Sequence, residues 1–126
     1  MMDIYPAVTT GATVHIIAEE IRLDIIALND YLENHGVTHA FMTTQVGRMF
    51  ATSVENHSLS HLSVGGEKLV PCAPPAHYVL HNAYGPTECT IFSTIFDVDR
   101  MYANVPIGKP LDNMKAYVVD LSLIHI

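Results

Sequence analysis

The chain is poor in the residues that bind nucleic acid or build disulfide scaffolds. Its 126 residues contain six Lys and Arg against thirteen Asp and Glu, a net charge of −7, and no tryptophan. Binding to a nucleic-acid backbone depends on clustered basic residues, so that class of partner is excluded. The two cysteines, Cys72 and Cys89, are too few for a disulfide framework or a zinc site. We expect two free, partly buried thiols.

Long apolar runs are also missing. No run approaches the roughly 20 residues that a membrane-spanning helix needs. The first residues, "MMDIYPAV", lack the basic and apolar regions of a signal peptide. We therefore expect no membrane association and a cytoplasmic location. Hydrophobic residues make up 49% of the chain and charged residues 15%, which excludes general disorder and suits one small domain or a piece of one.

The hydrophobic pattern predicts strands that alternate with helices. Ile25, Leu28 and Leu32 share one face of a predicted helix, and Gly36 is its expected C-cap. A second, short helix is predicted over 45–53. Strands are predicted at 13–18, 38–43, 61–66, 78–85, 89–98 and 115–120. This alternation is typical of an α/β fold with a mainly parallel sheet and flanking helices.

Two of the predicted strands end in loops whose composition favours binding. "GGE" (65–67) follows "LSV", and "NAYGPTE" (82–88) follows "YVLH". In parallel α/β sheets, ligands bind beyond the carboxyl ends of the strands. The sequence therefore predicts a binding site formed by these two loops.

The second loop combines groups that suit an adenine nucleotide with Mg²⁺. Gly85-Pro86 forms a turn that keeps the backbone from covering Tyr84, whose ring can stack on a base. The Asn82 amide can recognise a purine edge. The Thr87 hydroxyl suits a phosphate oxygen, and the Glu88 carboxylate is a hard ligand for Mg²⁺.

The first loop adds space, since Gly65 and Gly66 have no side chains and a flat ligand can lie against their backbone. A plainer interpretation of both loops remains open. Gly85-Pro86 alone makes a turn, Tyr84 could belong to the core, and Thr87 could begin a helix.

The eight histidines do not predict a metal site. His57 and His61 have i, i+4 spacing, which on a helix would place both on one face. No carboxylate or thiol pattern completes a site around them, and a surface segment is favoured over zinc. No serine or cysteine has the G-x-S-x-G setting of a nucleophile.

Four segments of the chain resemble those of a known family. "NAYGPTE" resembles the fifth core motif of the adenylation domains of nonribosomal peptide synthetases, Asn-x-Tyr-Gly-Pro-Thr-Glu. "LSVGGEKL" is similar to the segment upstream of it, and "VPIGKPLDNMKAYVVD" to the stretch leading to the sixth motif. "YPAVTTGATVHII" is similar to the sequence after the fourth motif. The resemblance runs from Asp3 to Asp120 in the family's order, within the adenylate-forming superfamily.

The resemblance implies part of the large N-terminal subdomain of an enzyme that activates an amino acid with ATP. The amino-acid carboxylate attacks the α-phosphate, pyrophosphate leaves, and an aminoacyl adenylate forms. The aminoacyl group then passes to the phosphopantetheine thiol of a carrier (thiolation) domain. In such assembly lines of secondary metabolism, condensation domains are further neighbours.

The family's roles transfer to matching residues here. Tyr84 would stack on adenine, Thr87 would contact the α-phosphate, and Glu88 would hold Mg²⁺; Thr87 and Glu88 are thus the catalytic candidates. The nucleotide-binding candidates are Gly66, Glu67, Asn82, Ala83, Tyr84, Gly85 and Thr87.

An amino-acid pocket is also implied by the resemblance. Its expected lining is Phe41, Ser63, Gly65, Ala83, Ile91 and Phe92. None of these side chains is charged, and burying an unpaired charge is costly. We therefore expect an apolar or small polar substrate.

Several motifs of the family are not in these 126 residues. The Gly/Ser/Thr-rich phosphate loop, the fourth-motif aspartate, the ribose-binding aspartate and the catalytic lysine of the small C-terminal domain do not occur. Catalytic groups that act as a unit lose most of their effect when one is removed, so we expect the chain alone to be inactive.

The chain is therefore expected to hold a partial adenylation domain at 1–120 and a tail at 121–126. The tail, "LSLIHI", departs from the family pattern and matches the in-frame translation of a transposon-end sequencing adapter. A terminal strand is the alternative for these residues. Two alternatives for function also remain: another adenylate-forming ligase such as an acyl-CoA synthetase, and a non-catalytic nucleotide-binding remnant.

Overall fold

The computed structural model describes residues 4–120 and residue 122. Within these residues, the structure has four helices, a short 3₁₀ helix and five strands. In chain order these are α1 (Tyr5–Thr10), α2 (Glu19–Arg22), α3 (Ile25–Asn34), β1 (His39–Thr43), α4 (Thr44–Ser53), β2 (His61–Gly65), β3 (Val79–Tyr84), the 3₁₀ helix (Thr87–Cys89), β4 (Thr94–Asp97) and β5 (Lys109–Pro110). Across 4–120 and 122, no helix is long and apolar enough to cross a membrane.

The five strands form one sheet in the order β1-β2-β3-β4-β5. β1, β2 and β3 run parallel, whereas β4 and β5 are added antiparallel at one edge. The mixed α/β fold with flanking helices confirms the predicted class. The structure adds β5 and shows that β4 and β5 run antiparallel, which the sequence pattern did not reveal.

The core lies on one face of the sheet, beneath α3 and α4. Leu62, Val64 and Leu80 alternate with less buried residues along β2 and β3 and are fully buried. Phe50 of α4 and Leu32 of α3 close over them, with 0% and 3% exposure. The predicted stripe of α3 is confirmed, because its buried residues are Leu28 and Leu32.

The end of α3 is fixed by a Schellman motif. Gly36 adopts φ +60° just after the cap residue His35. The Gly36 N–H donates to the Glu33 carbonyl at 3.1 Å, and the Val37 N–H donates to the Leu32 carbonyl at 2.9 Å. Glycine takes this left-handed conformation without the Cβ penalty of other residues, so the predicted glycine terminator is confirmed.

Several predicted elements differ from the structure. Residues 13–18 are not a strand, and 115–120 hold only an isolated bridge at residue 119. Ile16 is 89% exposed and Val118 is 70% exposed. A run of β-branched residues gains from strand conformation only when a neighbouring strand packs beside it, and neither run is in the five-stranded sheet. The predicted strand over 89–98 shortens to β4, because Cys89 belongs to the 3₁₀ helix and Thr90 has φ +75°, which lies outside the strand region.

The expectation of two free, partly buried thiols is confirmed only in part. Cys72 is buried, and burial raises the pKa of its thiol, whereas Cys89 is exposed. Both are free, so only the burial expected of Cys89 is wrong.

The proposed tail at 121–126 lies outside the described residues except for Ser122, which donates to the Asp120 carboxylate.

Asn56 fixes the turn between α4 and β2. This side chain is 0% exposed, and its amide nitrogen donates to the Asn29 side-chain oxygen of α3 at 2.9 Å. Its oxygen accepts the N–H groups of Ser58 at 3.1 Å and Leu59 at 2.8 Å, together with the Ser58 hydroxyl at 3.1 Å. One buried amide therefore ties the entry of β2 to α3.

Replacing Asn56 with alanine should lower the free energy of unfolding by about 3 kcal/mol, because several buried polar groups lose their partner. Urea denaturation followed by circular dichroism measures the change. Asn34→Ala is the matched control, since Asn34 is exposed at the end of α3, and we expect a change within about 0.5 kcal/mol. Equal effects of the two substitutions would contradict the structural role of Asn56.

Candidate functional site

The carboxyl ends of the three parallel strands lie side by side. Thr43 of β1 is opposite Gly65 of β2, and Gly65 is opposite Ala83 of β3. The loops that follow β2 and β3 therefore leave the sheet at the same edge. The structure thus brings the two predicted binding loops together.

Hydrogen bonds from the start of α4 hold the loop after β2 in place. The buried Thr44 hydroxyl donates to the Glu67 carbonyl at 3.0 Å and accepts the Glu67 N–H at 3.2 Å. The Gln45 amide donates to the Glu67 carboxylate at 2.9 Å. Gly66 has φ +105° and open space where a Cβ would lie. Sequence reasoning missed Thr44 and Gln45, because they precede the loop by more than twenty residues.

The loop after β3 presents its polar groups outwards. Tyr84 is 48% exposed, and its carbonyl accepts the Ser93 N–H at 2.8 Å, which closes the loop. Thr87 and Glu88 are exposed on the 3₁₀ helix, whose first N–H bond runs from Cys89 to the Pro86 carbonyl at 3.0 Å. The ring, hydroxyl and carboxylate are therefore all accessible to a ligand.

Asn82 differs from its neighbours in this loop. Its side chain is 5% exposed, and its amide nitrogen donates to the Pro106 carbonyl at 2.8 Å. The amide nitrogen is thus engaged within the protein, on the opposite side of β3 from Ala83. This contrasts with the expectation that the Asn82 amide faces a purine edge.

The aromatic members of the predicted pocket meet at the other face of the sheet. The rings of Phe41 and Phe92 have centroids 5.9 Å apart. Both line a cavity of about 1170 Å³ together with Ser63. A Cβ on Gly65 would lie 3.5 Å from the Phe41 ring and 2.9 Å from the Ala83 carbonyl oxygen, so a side chain there would crowd the space between β2 and β3.

The backbone of Ile91 and Phe92 packs closely against Gly85. A Cβ added to Gly85 would overlap the Ile91 carbonyl oxygen and lie 2.6 Å from the Phe92 Cα. Just before Ile91, Thr90 has φ +75°, an unusual conformation for a β-branched residue. The turn is therefore tightly packed, and it fixes where Phe92 stands.

A row of histidines crosses the sheet on the pocket face and was missed by sequence reasoning. The His61 and His81 ring nitrogens are 2.9 Å apart, and His81 Nδ1 lies 2.6 Å from the Asp97 carboxylate. The His39 ring stands 4.8 Å from the His61 ring. Burial lowers the pKa of His61, and electrostatic repulsion from the neighbouring His81 and His39 rings lowers this pKa further.

Strand alternation could have revealed part of this row. His61 lies two residues before Ser63, and His81 lies two residues before Ala83. Residues at i and i+2 of a strand share a face, so both histidines stand on the predicted pocket face. The pairing of His81 with Asp97 depends on the antiparallel β4, which only the structure reveals.

Comparison with known protein families identifies the family of this chain. The family model described as AMP-binding enzyme matches residues 1–123. The chain belongs to the AMP-binding enzyme family. The fifth-motif loop and the Gly-Gly-Glu loop are thus two parts of one AMP-binding domain.

The relatives of this AMP-binding segment are very long peptide synthetases. Bacitracin synthase 1 from Bacillus licheniformis is 42% identical over 121 residues, which are 96% of this chain and 2% of that protein. Surfactin synthase subunit 1 from Bacillus subtilis (strain 168) is 41% identical over 117 residues, 93% of this chain and 3% of that protein. The chain therefore spans only 2–3% of the length of these two relatives.

Solved structures share the fold of this AMP-binding segment. The N-terminal subdomain of NpsA from Klebsiella oxytoca, in complex with anthranilyl-AMSN, has a TM-score of 0.74 at 24% identity and covers 98% of this chain and 34% of that one. An artificially fused adenylation-PCP di-domain, NpsA-ThdA, has a TM-score of 0.76 at 23% identity, with coverage of 98% and 27%. The chain therefore has the fold of part of the N-terminal subdomain of an adenylation domain.

Replacing Gly85 with alanine should force the Ile91–Phe92 backbone away, because the new Cβ has no space. We expect a loss of about 1–3 kcal/mol in the free energy of unfolding, and changed NMR shifts at Phe41 as the Phe92 ring moves. Gly11→Ala is the control. Gly11 has φ +75° but open space around it, so this variant carries backbone strain alone and should leave the Phe41 signals in place. Unchanged Phe41 signals in the Gly85 variant would contradict this packing.

Proposed function

We propose that this chain is the part of an amino-acid adenylation domain that holds the nucleotide and one wall of the amino-acid pocket. In the complete domain, ATP and an amino acid give an aminoacyl adenylate and pyrophosphate. One observation carries the proposal: β2 and β3 end side by side, because Gly65 near the end of β2 pairs with Ala83 near the end of β3. That pairing puts both nucleotide loops at one edge of the sheet.

The nucleotide would lie across the two loops. The exposed Tyr84 ring offers a face for adenine, and the backbone at Gly66 is open to a flat ligand. Glu67 is held in place by Thr44 and could contact the adenine edge. For Asn82, as for Ala83 and Gly85, we propose backbone contacts, because the Asn82 amide nitrogen is already bonded to Pro106.

The reacting phosphate would lie above the 3₁₀ helix. The Thr87 hydroxyl can donate to an oxygen of the α-phosphate while the amino-acid carboxylate attacks phosphorus and pyrophosphate departs. Glu88 is an exposed carboxylate, which fits a Mg²⁺ ligand. Mg²⁺, when bound, would neutralise charge on the phosphates. Thr87 and Glu88 would thus orient the α-phosphate, which the amino-acid carboxylate attacks.

The amino-acid side chain would enter beside Phe41 and Phe92. Gly65 places no side chain beside the Phe41 ring, Ala83 carries only a methyl group, and Ser63 supplies one hydroxyl to the cavity. Ile91 completes the expected lining, which holds no charge. We therefore propose an apolar or small polar amino acid as substrate.

The longer protein supplies the partners in this proposal. A carrier domain with a phosphopantetheine thiol would accept the aminoacyl group, a condensation domain would use it, and the location would be cytoplasmic. Identities of 41–42% to bacitracin and surfactin synthases favour an amino acid over the fatty acid of an acyl-CoA synthetase. One solved neighbour in fold is an adenylation-PCP fusion, which supports a carrier partner.

Replacing Tyr84 with alanine should weaken AMP binding about tenfold, because base–aromatic stacking contributes roughly 1–3 kcal/mol. Isothermal titration calorimetry of the 126-residue chain with AMP measures this change. Tyr84→Phe is the matched control, since it keeps the ring and should retain the parent affinity within about twofold. The nucleotide site is wrong if the alanine variant binds AMP as tightly as the parent chain.

The chain by itself should not catalyse adenylation. We expect no amino-acid-dependent exchange of pyrophosphate into ATP above background, because Thr87 and Glu88 supply only part of the catalytic groups. The matched sample is the same segment within a longer reading frame that includes a phosphate loop and a C-terminal lysine, which should be active. Exchange by the 126-residue chain that Glu88→Gln abolishes would show that this expectation is mistaken.

A further inference from the structure

A cluster of metal-ligating side chains lies at the opposite end of the parallel strands from the nucleotide loops. Glu55 and His57 stand in the turn before β2, and His77 stands two residues before β3. One ligand atom from each of the three lies within 4.8 Å of the other two. Among residues 4–120 and 122, this is the one group of three such side chains. We propose that Glu55, His57 and His77 bind a divalent transition-metal ion of the Zn²⁺ class.

The donor atoms identify the class of ion. Two imidazole nitrogens and one carboxylate oxygen suit Zn²⁺ and its neighbours among the transition metals, whereas Mg²⁺ and Ca²⁺ prefer oxygen donors alone. Three protein ligands are also the usual number in zinc sites that keep a fourth position for water or a small anion. All three side chains are exposed, so an ion reaches them directly.

The geometry is close to that of a metal site. Ligand atoms of tetrahedral zinc stand about 3.4 Å apart, since zinc–ligand bonds are about 2.0–2.2 Å. The donors at up to 4.8 Å must therefore approach by about 1.4 Å at most. The rings of His57 and His77 already touch, with centroids 4.3 Å apart and planes tilted by 53°. Exposed side chains can make this approach by rotating, without movement of the backbone.

The backbone that carries Glu55 and His57 is rigid. Asn56 lies between them, fully buried, with its amide bonded to Asn29 and to the turn that follows. The His57 N–H donates to the Glu33 carboxylate at 2.8 Å. The two ligands therefore stand on a turn that is already ordered, which lowers the entropy cost of binding an ion.

His77 is held from both sides. Pro74 and Pro75 restrict the chain before it. Tyr78 after it is 7% exposed, and the Val79 N–H donates to the Ser60 carbonyl at 3.0 Å. This last bond joins the start of β3 to the start of β2, and so it brings His77 towards the turn that carries His57.

Charge and shape also favour a cation here. The chain has a net charge of −7, and Glu55 adds a carboxylate at the cluster itself. Glu55 and His77 line a cavity of about 280 Å³ with Pro75 and Tyr78. A bound ion thus has room for an exogenous fourth ligand.

Zinc titration of the 126-residue chain tests the proposal. The exposed thiol of Cys89 is a competing ligand, so the parent for all measurements is Cys89→Ser. Calorimetry should give one Zn²⁺ per chain, and His57→Gln or His77→Gln should weaken binding at least tenfold, the scale on which zinc sites respond to loss of a supporting group. Glu55→Gln removes the carboxylate from an exposed position and is the variant least able to disturb folding.

His35→Gln is the matched control. The exposed His35 and the half-buried His15 form another pair, with ring centroids 5.6 Å apart, but no third donor completes that pair among the described residues. The control should bind zinc like the parent, and circular dichroism should give the same spectrum for every variant. Equal losses in the His57 and His35 variants, or unchanged affinity in both His57→Gln and Glu55→Gln, would overturn the site and indicate scattered binding by histidines.

Discussion

The parallel pairing of β1, β2 and β3 in one register is the constraint on which the rest of the structure depends. A parallel pair aligns like ends, so Thr43, Gly65 and Ala83 come to one level and the loops after them become neighbours. A slip of one residue would turn the buried Leu62 and Val64 to the pocket face and expose the core. The hydrophobic core and the proposed nucleotide site therefore depend on the same register.

Buried polar groups outside the sheet hold this register in place. Asn56 ties the entry of β2 to α3, and Thr44 ties the exit of β2 to the start of α4. Neither bond lies within the strand ladder, yet each fixes one end of β2. Buried hydrogen bonds of this kind are costly to lose, since a buried partner left unpaired has no water to replace it. The site is thus positioned by polar contacts as well as by apolar packing.

The sequence predicted those elements whose pattern is local. The α3 helix followed from the spacing of Leu28 and Leu32 and from Gly36, and β2 and β3 followed from short strand-like runs that end at glycine. Runs 13–18 and 115–120 have the same local signal but lie outside the sheet, because strand formation depends on partners that propensity does not reveal. The two site loops were predictable from residue types, whereas the Thr44 contact, the bond from Asn82 to Pro106 and the row from His39 to Asp97 arise from long-range pairing.

The same pairing gives the sheet two chemically different edges. The carboxyl ends of β2 and β3 carry Tyr84, Glu88 and the glycine loop, and the amino ends of the same strands follow His57 and His77. Strands of five and six residues span roughly 16–20 Å, since each residue adds about 3.3 Å. Sites so far apart with no shared side chain respond independently to substitution, because effects usually add beyond about 7–10 Å. The parallel register therefore positions the residues of both proposed sites, and the distance between its two ends keeps the two proposals separate.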